Sequence, residues 1–257
     1  MKAFSVLAPG LATTAQDLGR QGFSSIGISR SGAYDPFAAR CANLLAGNPE
    51  PATLLEITYQ GPSLVALETV TAAITGASLN PTLEEEPLPL WETFQIKKGA
   101  QLSFGHRQSG CRAYLAVAGG FTTSKLFSSS ARDVRCGFGG FVLAKDMILE
   151  TGEEPRAAQF RTIAKEIKPV YESPRELRVV LGPDLNYFKK ETTQQFLSSR
   201  YQVTSRSDRS GCRLEGPRLD RLPEEMLSEP VMWGIIQVPP DGNPIILGPE
   251  CQHVGGY

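Results

Sequence analysis

Three polar, glycine-punctuated runs concentrate the groups that hold and activate small polar molecules. The first, Thr13-Thr14-Ala15-Gln16-Asp17-Leu18-Gly19-Arg20, leads on to Arg30-Ser31-Gly32-Ala33-Tyr34-Asp35. The second is Ser207-Asp208-Arg209-Ser210-Gly211-Cys212-Arg213-Leu214-Glu215-Gly216. The third extends from Gln237-Val238-Pro239-Pro240-Asp241-Gly242 to Glu250-Cys251-Gln252-His253-Val254-Gly255-Gly256-Tyr257. Each sets amide, carboxylate and guanidinium groups beside glycines, whose missing side chains let backbone approach a ligand closely. Together they suit a small, amide-bearing molecule. Each residue also has a plain structural use. Asp17 with Arg20 and Asp208 with Arg209 read equally as loop ion pairs, which stabilise little when exposed, and Asp35 is accounted for by helix capping. His253 reads as a surface residue or a proton carrier with equal weight.

Other chemistry is excluded by what the text lacks. There is no G-x-x-x-x-G-K-[ST] phosphate loop and no G-x-S-x-G nucleophile elbow, and Cys136-Gly137-Phe138-Gly139-Gly140 does not make a dinucleotide fingerprint. His106 and His253 stand far apart with no ligand spacing around either, so no metal site is expected. The five cysteines are odd in number and never form C-x-x-C, which points to reduced thiols in a cytoplasmic protein. With 26 Lys+Arg against 27 Asp+Glu, the net charge of −1 supplies no field for nucleic acid or an anionic membrane. No run approaches the roughly 18–20 apolar residues of a membrane span, and Pro9-Gly10 interrupts the start too early for a signal peptide.

The elements that must position these runs are mainly β. The chain has 257 residues with 25 Gly and 19 Pro, so turns are dense but the composition is that of a folded protein. Strand-prone stretches lie at 3–7, 53–59, 64–75, 101–104, 112–118, 141–149, 176–181, 201–205, 231–238 and 244–247, separated by Gly/Pro signals as in barrels or sandwiches. One helix is well specified: Asp35 at the N-cap, Pro36 at the first position, an apolar stripe of Phe37, Cys41, Leu44 and Leu45, and a stop at Gly47 and Asn48-Pro49. Arg40 and Asn43 are then expected to face outward. A second helix is expected over about 187–199, and Ser124–Ser130 reads as a flexible loop. Glu56 lies in an otherwise apolar strand, so it needs a partner, an arginine for preference, if it points inward; outward it is a solvated residue. Charged, proline-broken text between Thr151 and Pro174 marks a boundary.

Across these segments the chain resembles the KipA family, which takes in the C-type subunit of 5-oxoprolinase (PxpC) and allophanate hydrolase subunit 2, and is related to the carboxyltransferase region of biotin-dependent urea carboxylase. The matching text is TTAQDLGRQGF, SGAYDPFAARCANLLAGN, LEITYQGP, RAYLAVAGGF, SSSARDVRCGFGGF, SDRSGCRLEG and IIQVPPDGNPIILGPECQHVGGY, in the family's order over most of the chain. It departs from the family at Arg30, where a small or uncharged residue is common, at Tyr34 in place of Met, and at Glu250 and His253 in place of Asp and Thr.

The resemblance implies two tandem cyclophilin-like β-barrel halves with a few short helices: an N-terminal domain over 1–155, a crossover over 156–174 and a C-terminal domain over 175–257. Relatives usually continue past the Gly-Gly-Tyr, so the last domain is expected to be truncated, with an exposed sheet edge near its end. It further implies a subunit of an ATP-dependent lactam hydrolase, opening 5-oxo-L-proline to L-glutamate with a KipI-like (PxpB) and a LamB/YcsF-like (PxpA) subunit, ATP and Mg being held mainly by a partner. The alternatives are a carboxyltransferase served by biotin from another protein, since no Met-Lys-Met attachment site is present, and a KipA-type regulator of a KipI-like kinase inhibitor. In the lactamase reading, Arg20 and Arg209 bind anionic groups, Gln16 and Gln237 hold the substrate amide together with Tyr257, and Asp17, Glu250 and Gln252 serve the chemistry.

Overall fold

The computed structural model describes residues 1–153, 160–222 and 227–255. The expected boundary at 155/156 and the expected ligand residue Tyr257 lie outside the described residues. Internal contacts divide the chain into two compact units, Met1–Arg20 with Ser31–Pro174, and Gln21–Arg30 with Arg175–Tyr257.

The larger unit holds β1 (Lys2–Ala8), β2 (Ala12–Gln16), α1 (Pro36–Leu45), β3 (Leu54–Thr58), β4 (Ser63–Ala66), β5 (Val70–Ser78), β6 (Pro81–Leu83), β7 (Glu86–Pro87), β8 (Thr93–Ile96), β9 (Gln101–Phe104), β10 (Ser109–Val117) and β11 (Ile148–Glu150). Among the described residues they form two antiparallel sheets, in the orders β11-β1-β4-β9-β6-β7 and β2-β3-β10-β5-β8, and neither closes on itself in hydrogen-bond order. Phe4, Leu64 and Leu102 of the first sheet pack with Leu55, Ile57, Ile74 and Leu115 of the second in one core. Each such side chain contributes about 1.5–3 kcal/mol on burial. The other face of the second sheet carries α1 against Leu54, Tyr114 and Ala116. That is why β5 is buried on both faces: Ile74 enters the core while Thr75 donates to the Ala38 carbonyl of the helix at 2.7 Å.

Helix α1 starts as its sequence dictates. The Asp35 carboxylate accepts the Ala38 N–H at 3.0 Å and Pro36 fills the first position, and Gly47 at φ +80° lets the chain turn away after the last residues. Its buried face differs from the expected stripe. Ala38, Ala39, Cys41, Ala42 and Leu45 face inward, whereas Phe37 and Leu44 are 44% and 45% exposed. Small residues let the helix lie close to the sheet, which two bulky side chains would prevent. Asn43 is buried, against expectation, because its side-chain N–H group donates to the Glu50 and Ala52 carbonyls at 3.0 and 2.9 Å and ties down the following loop. Arg40 does face outward, on Glu50 at 2.7 Å.

The smaller unit is lightly built: α2 (Lys190–Ser198), β12 (Gln202–Val203), β13 (Gly211–Glu215), β14 (Glu229–Pro230), β15 (Ile236–Gln237), β16 (Ile245–Leu247) and β17 (Val254–Gly255), paired as β12-β13-β16-β15 and β14-β17. Its excursion 21–30 is tied in by Arg30, whose guanidinium lies over the Trp233 ring at 5.6 Å. The stretch 176–181, expected as a strand, is not one: no described strand pairs with it, and Val180 is 96% exposed. The sheet content nevertheless makes the chain mainly β.

Candidate functional site

The expected residues fall into two groups, Gln16, Asp17 and Arg20 in the larger unit and Arg209, Gln237, Glu250 and Gln252 in the smaller. In the first group β2 ends at Gln16 and the chain turns through Asp17-Leu18-Gly19-Arg20 beneath the loop 129–140. Asp17 Oδ1 accepts from the Gly19 N–H and the Ser129 hydroxyl, both at 2.7 Å, and Oδ2 from the Ser130 N–H at 2.7 Å and the Ser130 hydroxyl at 3.0 Å. Four donors occupy this buried carboxylate, so it fastens the loop. Ser129 and Ser130, read from sequence as part of a flexible loop, are therefore almost wholly buried. Arg20 donates to the Ala131 carbonyl and its guanidinium lies 4.9 Å from the Phe138 ring centroid. The glycines of the run serve this packing: a Cβ at Gly139 would lie 2.1 Å from the Ala131 oxygen, and one at Gly140 2.4 Å from the Ser130 oxygen.

Gln16 is 0% exposed. Its Nε2 donates to the Thr14 hydroxyl at 3.0 Å and to the Arg132 carbonyl at 2.9 Å. The same carbonyl accepts the Ser31 hydroxyl at 2.9 Å, and the Asp17 carbonyl accepts the Ala33 N–H at 2.8 Å, so the Ser31–Asp35 turn is seated on the first run.

Behind that turn lies a buried polar network. Glu56 Oε2 accepts the Tyr34 N–H at 2.7 Å and the Tyr114 hydroxyl at 2.9 Å, and Oε1 is 3.4 Å from Arg112 Nε. The Tyr114 oxygen in turn accepts the Asp35 N–H at 2.7 Å, and Tyr171 donates its hydroxyl to Asp35 Oδ2 at 2.7 Å. The Arg112 guanidinium sits 3.9 Å from the Tyr34 ring centroid. Burial pushes the Tyr114 hydroxyl well above the usual tyrosine range, and the negative charge of Glu56 adds to the rise. Burial also lifts Tyr171, together with its hydrogen bond to Asp35. Burial, the largest single effect, works against the charge on Arg112, but Glu56 together with Cys111, Tyr114 and Tyr34 outweighs it and the net shift is upward. Glu56 thus points inward and its partner is an arginine. Sequence reasoning left Arg112, Tyr114 and Tyr171 unassigned, although alternation along β10 puts Arg112 and Tyr114 on one face, with Tyr114 opposite Glu56.

In the smaller unit Arg209 and Glu250 bind each other, Nε to Oε1, with side chains 11% and 2% exposed. Gln252 Nε2 donates to Gln237 Oε1 at 3.0 Å. A Cβ on Gly255 would stand 3.2 Å from Gln237 Nε2 and 3.7 Å from Gln252 Nε2, so the glycine leaves room for the amide pair. The Asp208 carboxylate accepts the N–H groups of Ser210 and Gly211 at 2.8 and 3.1 Å and shapes its turn. Apart from these groups, this unit carries an apolar groove of about 500 Å³ lined by residues including Val179, Leu181, Phe188, Phe196, Trp233 and Ile236. None of the expected site residues lines it. Among the described residues no group of three or more His, Cys, Asp or Glu is placed to hold a metal ion.

The profile described as carboxyltransferase domain, subdomain A and B, matches residues 26–257. The C-type subunit of the 5-oxoprolinase of Escherichia coli is 35% identical over 256 residues, 98% of this chain and 81% of that protein. The urea amidolyase of Saccharomyces cerevisiae is 32% identical over 228 residues, 84% of this chain but 12% of that protein. The crystal structure of TTHA0988 superposes with a TM-score of 0.87 at 35% identity, covering 99% of this chain. The chain spans half the length of that solved protein.

Proposed function

Because the chain belongs to the carboxyltransferase-domain family, we propose that it is the C-type subunit of an ATP-dependent 5-oxoprolinase, opening 5-oxo-L-proline to L-glutamate with KipI-like (PxpB) and LamB/YcsF-like (PxpA) subunits. The observation that carries this reading is the 35% identity with the E. coli C-type subunit over 98% of this chain and 81% of that protein.

The glycine-rich run at 136–140 does not fit a nucleotide. Gly139 and Gly140 are packed onto the chain's own Ala131 and Ser130 carbonyls, and among the described residues no helix directly follows to receive a phosphate. Within this proposal, ATP and Mg are held mainly by a companion subunit. Each unit, taken by itself, offers groups suited to a small amide: the anchored Gln16 amide in the larger unit, and the Gln237–Gln252 pair in the smaller. Arg20 adds cationic charge within the larger unit, while in the smaller unit Arg209 and Glu250 are bound to each other. Preformed donors and charges of this kind act without reorganisation when charge develops on an amide. A cytoplasmic location is part of the proposal. It accords with five free thiols and with the lack, among the described residues, of a helix long and apolar enough to cross a membrane.

The test is glutamate release from 5-oxo-L-proline and ATP by the reconstituted subunits. Release is expected with the full set and none when this chain is omitted; no release with any subunit set overturns the reading. A second reading, the carboxyltransferase component of a biotin-dependent urea or amide carboxylase, is favoured by the family description and by the identity with the yeast urea amidolyase. Bicarbonate-dependent carboxylation of urea with a biotinylated partner protein separates the two.

A further inference from the structure

Of the buried side-chain polar atoms in the larger unit that make no hydrogen bond among the described residues, two belong to residues in contact with each other. One is Gln16 Oε1, which makes no hydrogen bond among the described residues. Its identity as oxygen is forced. The other end of the amide faces the Arg132 carbonyl at 2.9 Å, an atom that only accepts, so that end must be the nitrogen. A fixed, buried acceptor without a donor costs about 1–3 kcal/mol, and folded proteins keep few of them. The second atom is Nε of Arg132, likewise buried and without an acceptor. Arg40, Arg112 and Arg209 each have a carboxylate, Glu50, Glu56 and Glu250 respectively. Arg132 has none among the described residues; its side chain makes one long hydrogen bond, Nη1 to the Gly140 carbonyl at 3.4 Å.

The two residues are held side by side. The Arg132 N–H donates to the Ala15 carbonyl at 2.9 Å and the Ala15 N–H to the Phe141 carbonyl at 2.9 Å, which lays the 132–141 loop along the end of β2. Asp17 and Arg20 fasten the same loop from below.

We propose that Gln16 and Arg132 form a paired subsite for an amide-bearing carboxylate, Gln16 Oε1 accepting the ligand N–H and the Arg132 guanidinium taking its negative charge. The proposal rests on the 5-oxoprolinase reading for the identity of the ligand. In 5-oxoproline the ring N–H is next to the carbon that carries the carboxylate, so an acceptor and a cation supplied by two residues in contact match its adjacent donor and anion. Sequence reasoning assigned Gln16 to the substrate but gave Arg132 no role.

The test is competition binding to the assembled complex with three probes: 5-oxo-L-proline, its ring-oxygen lactone lacking the N–H, and 2-pyrrolidinone lacking the carboxylate. The wild-type complex is expected to prefer the lactam acid to the lactone by about 10- to 100-fold, the range for an unmet buried polar group. Gln16→Met should weaken 5-oxo-L-proline and 2-pyrrolidinone by that factor and spare the lactone. Arg132→Met should weaken both carboxylates and spare 2-pyrrolidinone. Uniform weakening of all three probes, or none, overturns the pair; so does equal wild-type affinity for lactam and lactone, a result that needs no variant to fold. A wild-type complex that binds none of the three removes the 5-oxoprolinase reading instead, and the pair is then judged with urea. Gln16→Met must weaken urea and Arg132→Met must not, and any other pattern overturns it.

Discussion

The larger unit sandwiches Phe4, Leu55, Ile74 and Leu115 between two sheets and seals the back of one with α1, whereas the smaller unit buries few apolar side chains, among them Leu214, Leu219 and Leu247. In the smaller unit Leu177, Val180, Leu181 and Met232 stay exposed, and the strand-like 176–181 has no partner. The same kinds of residue thus have different fates. β-branched and leucine side chains form a strand only where a neighbouring strand satisfies the backbone and an opposing surface covers the side chains. The larger unit supplies both. Buried polar groups follow the same division: Glu56 belongs to a network with Tyr34, Asp35, Arg112, Tyr114 and Tyr171, while Glu250 is paired with Arg209 in a unit of short strands.

The sharpest way to break this contrast is Glu56→Leu. It leaves Arg112 buried without its charge and strips acceptors from Tyr34 and Tyr114, so a loss of about 3–5 kcal/mol is expected in denaturant unfolding of the larger unit. Glu250→Leu should leave that transition in place and loosen only the smaller unit; equal shifts of one transition by both substitutions would erase the distinction. Next, Gly139→Ala, which drives a Cβ into the Ala131 carbonyl at φ +79°, should cost about 2–3 kcal/mol. Gly234→Ala in the smaller unit, at φ +94° with nothing within 4 Å, should cost about 1 kcal/mol, and thermal melting compares the two.

Tyr114→Phe should cost about 1–2 kcal/mol at neutral pH through its lost hydrogen bonds. The folded state holds the Tyr114 proton above the unfolded value of 10.0, so this contribution is complete below pH 10 and is lost as pH rises beyond it. The fall in stability above pH 10 should be shallower in the variant, as read by denaturation at pH 8 and pH 11. Smallest of all, Val180→Thr should change the stability of the chain by less than about 0.5 kcal/mol, since its side chain lies in solvent. A clear destabilisation would show that the segment is packed after all.

What was legible in the sequence was local or forced by burial. Asp35 and Pro36 announced a helix start because capping depends on neighbouring residues, and Glu56 left two alternatives, a solvated residue or one paired with an arginine, of which the structure shows the second. What was hidden depended on distant chain. The burial of Asn43 follows from a loop at 50–52 that the helix text does not contain. Ser129 and Ser130 looked like a mobile tract because their anchor, Asp17, lies over a hundred residues upstream. The strand expected over 141–149 shrinks to Ile148–Glu150, the rest of the stretch being engaged by isolated contacts such as the Thr14–Val142 bridge.

The excursion 21–30 has a bearing on how the protein is made. These ten residues leave the ribosome between two segments of the larger unit, yet the unit they join is otherwise built from Arg175 onward. The larger unit can complete itself around the gap while they wait, and the smaller cannot finish until the residues after Arg175 have emerged. A fragment cut at residue 175 would lack Arg30, the residue that stacks on Trp233. The smaller unit is therefore not a detachable module, and any dissection or permutation of this protein has to carry residues 21–30 along with it.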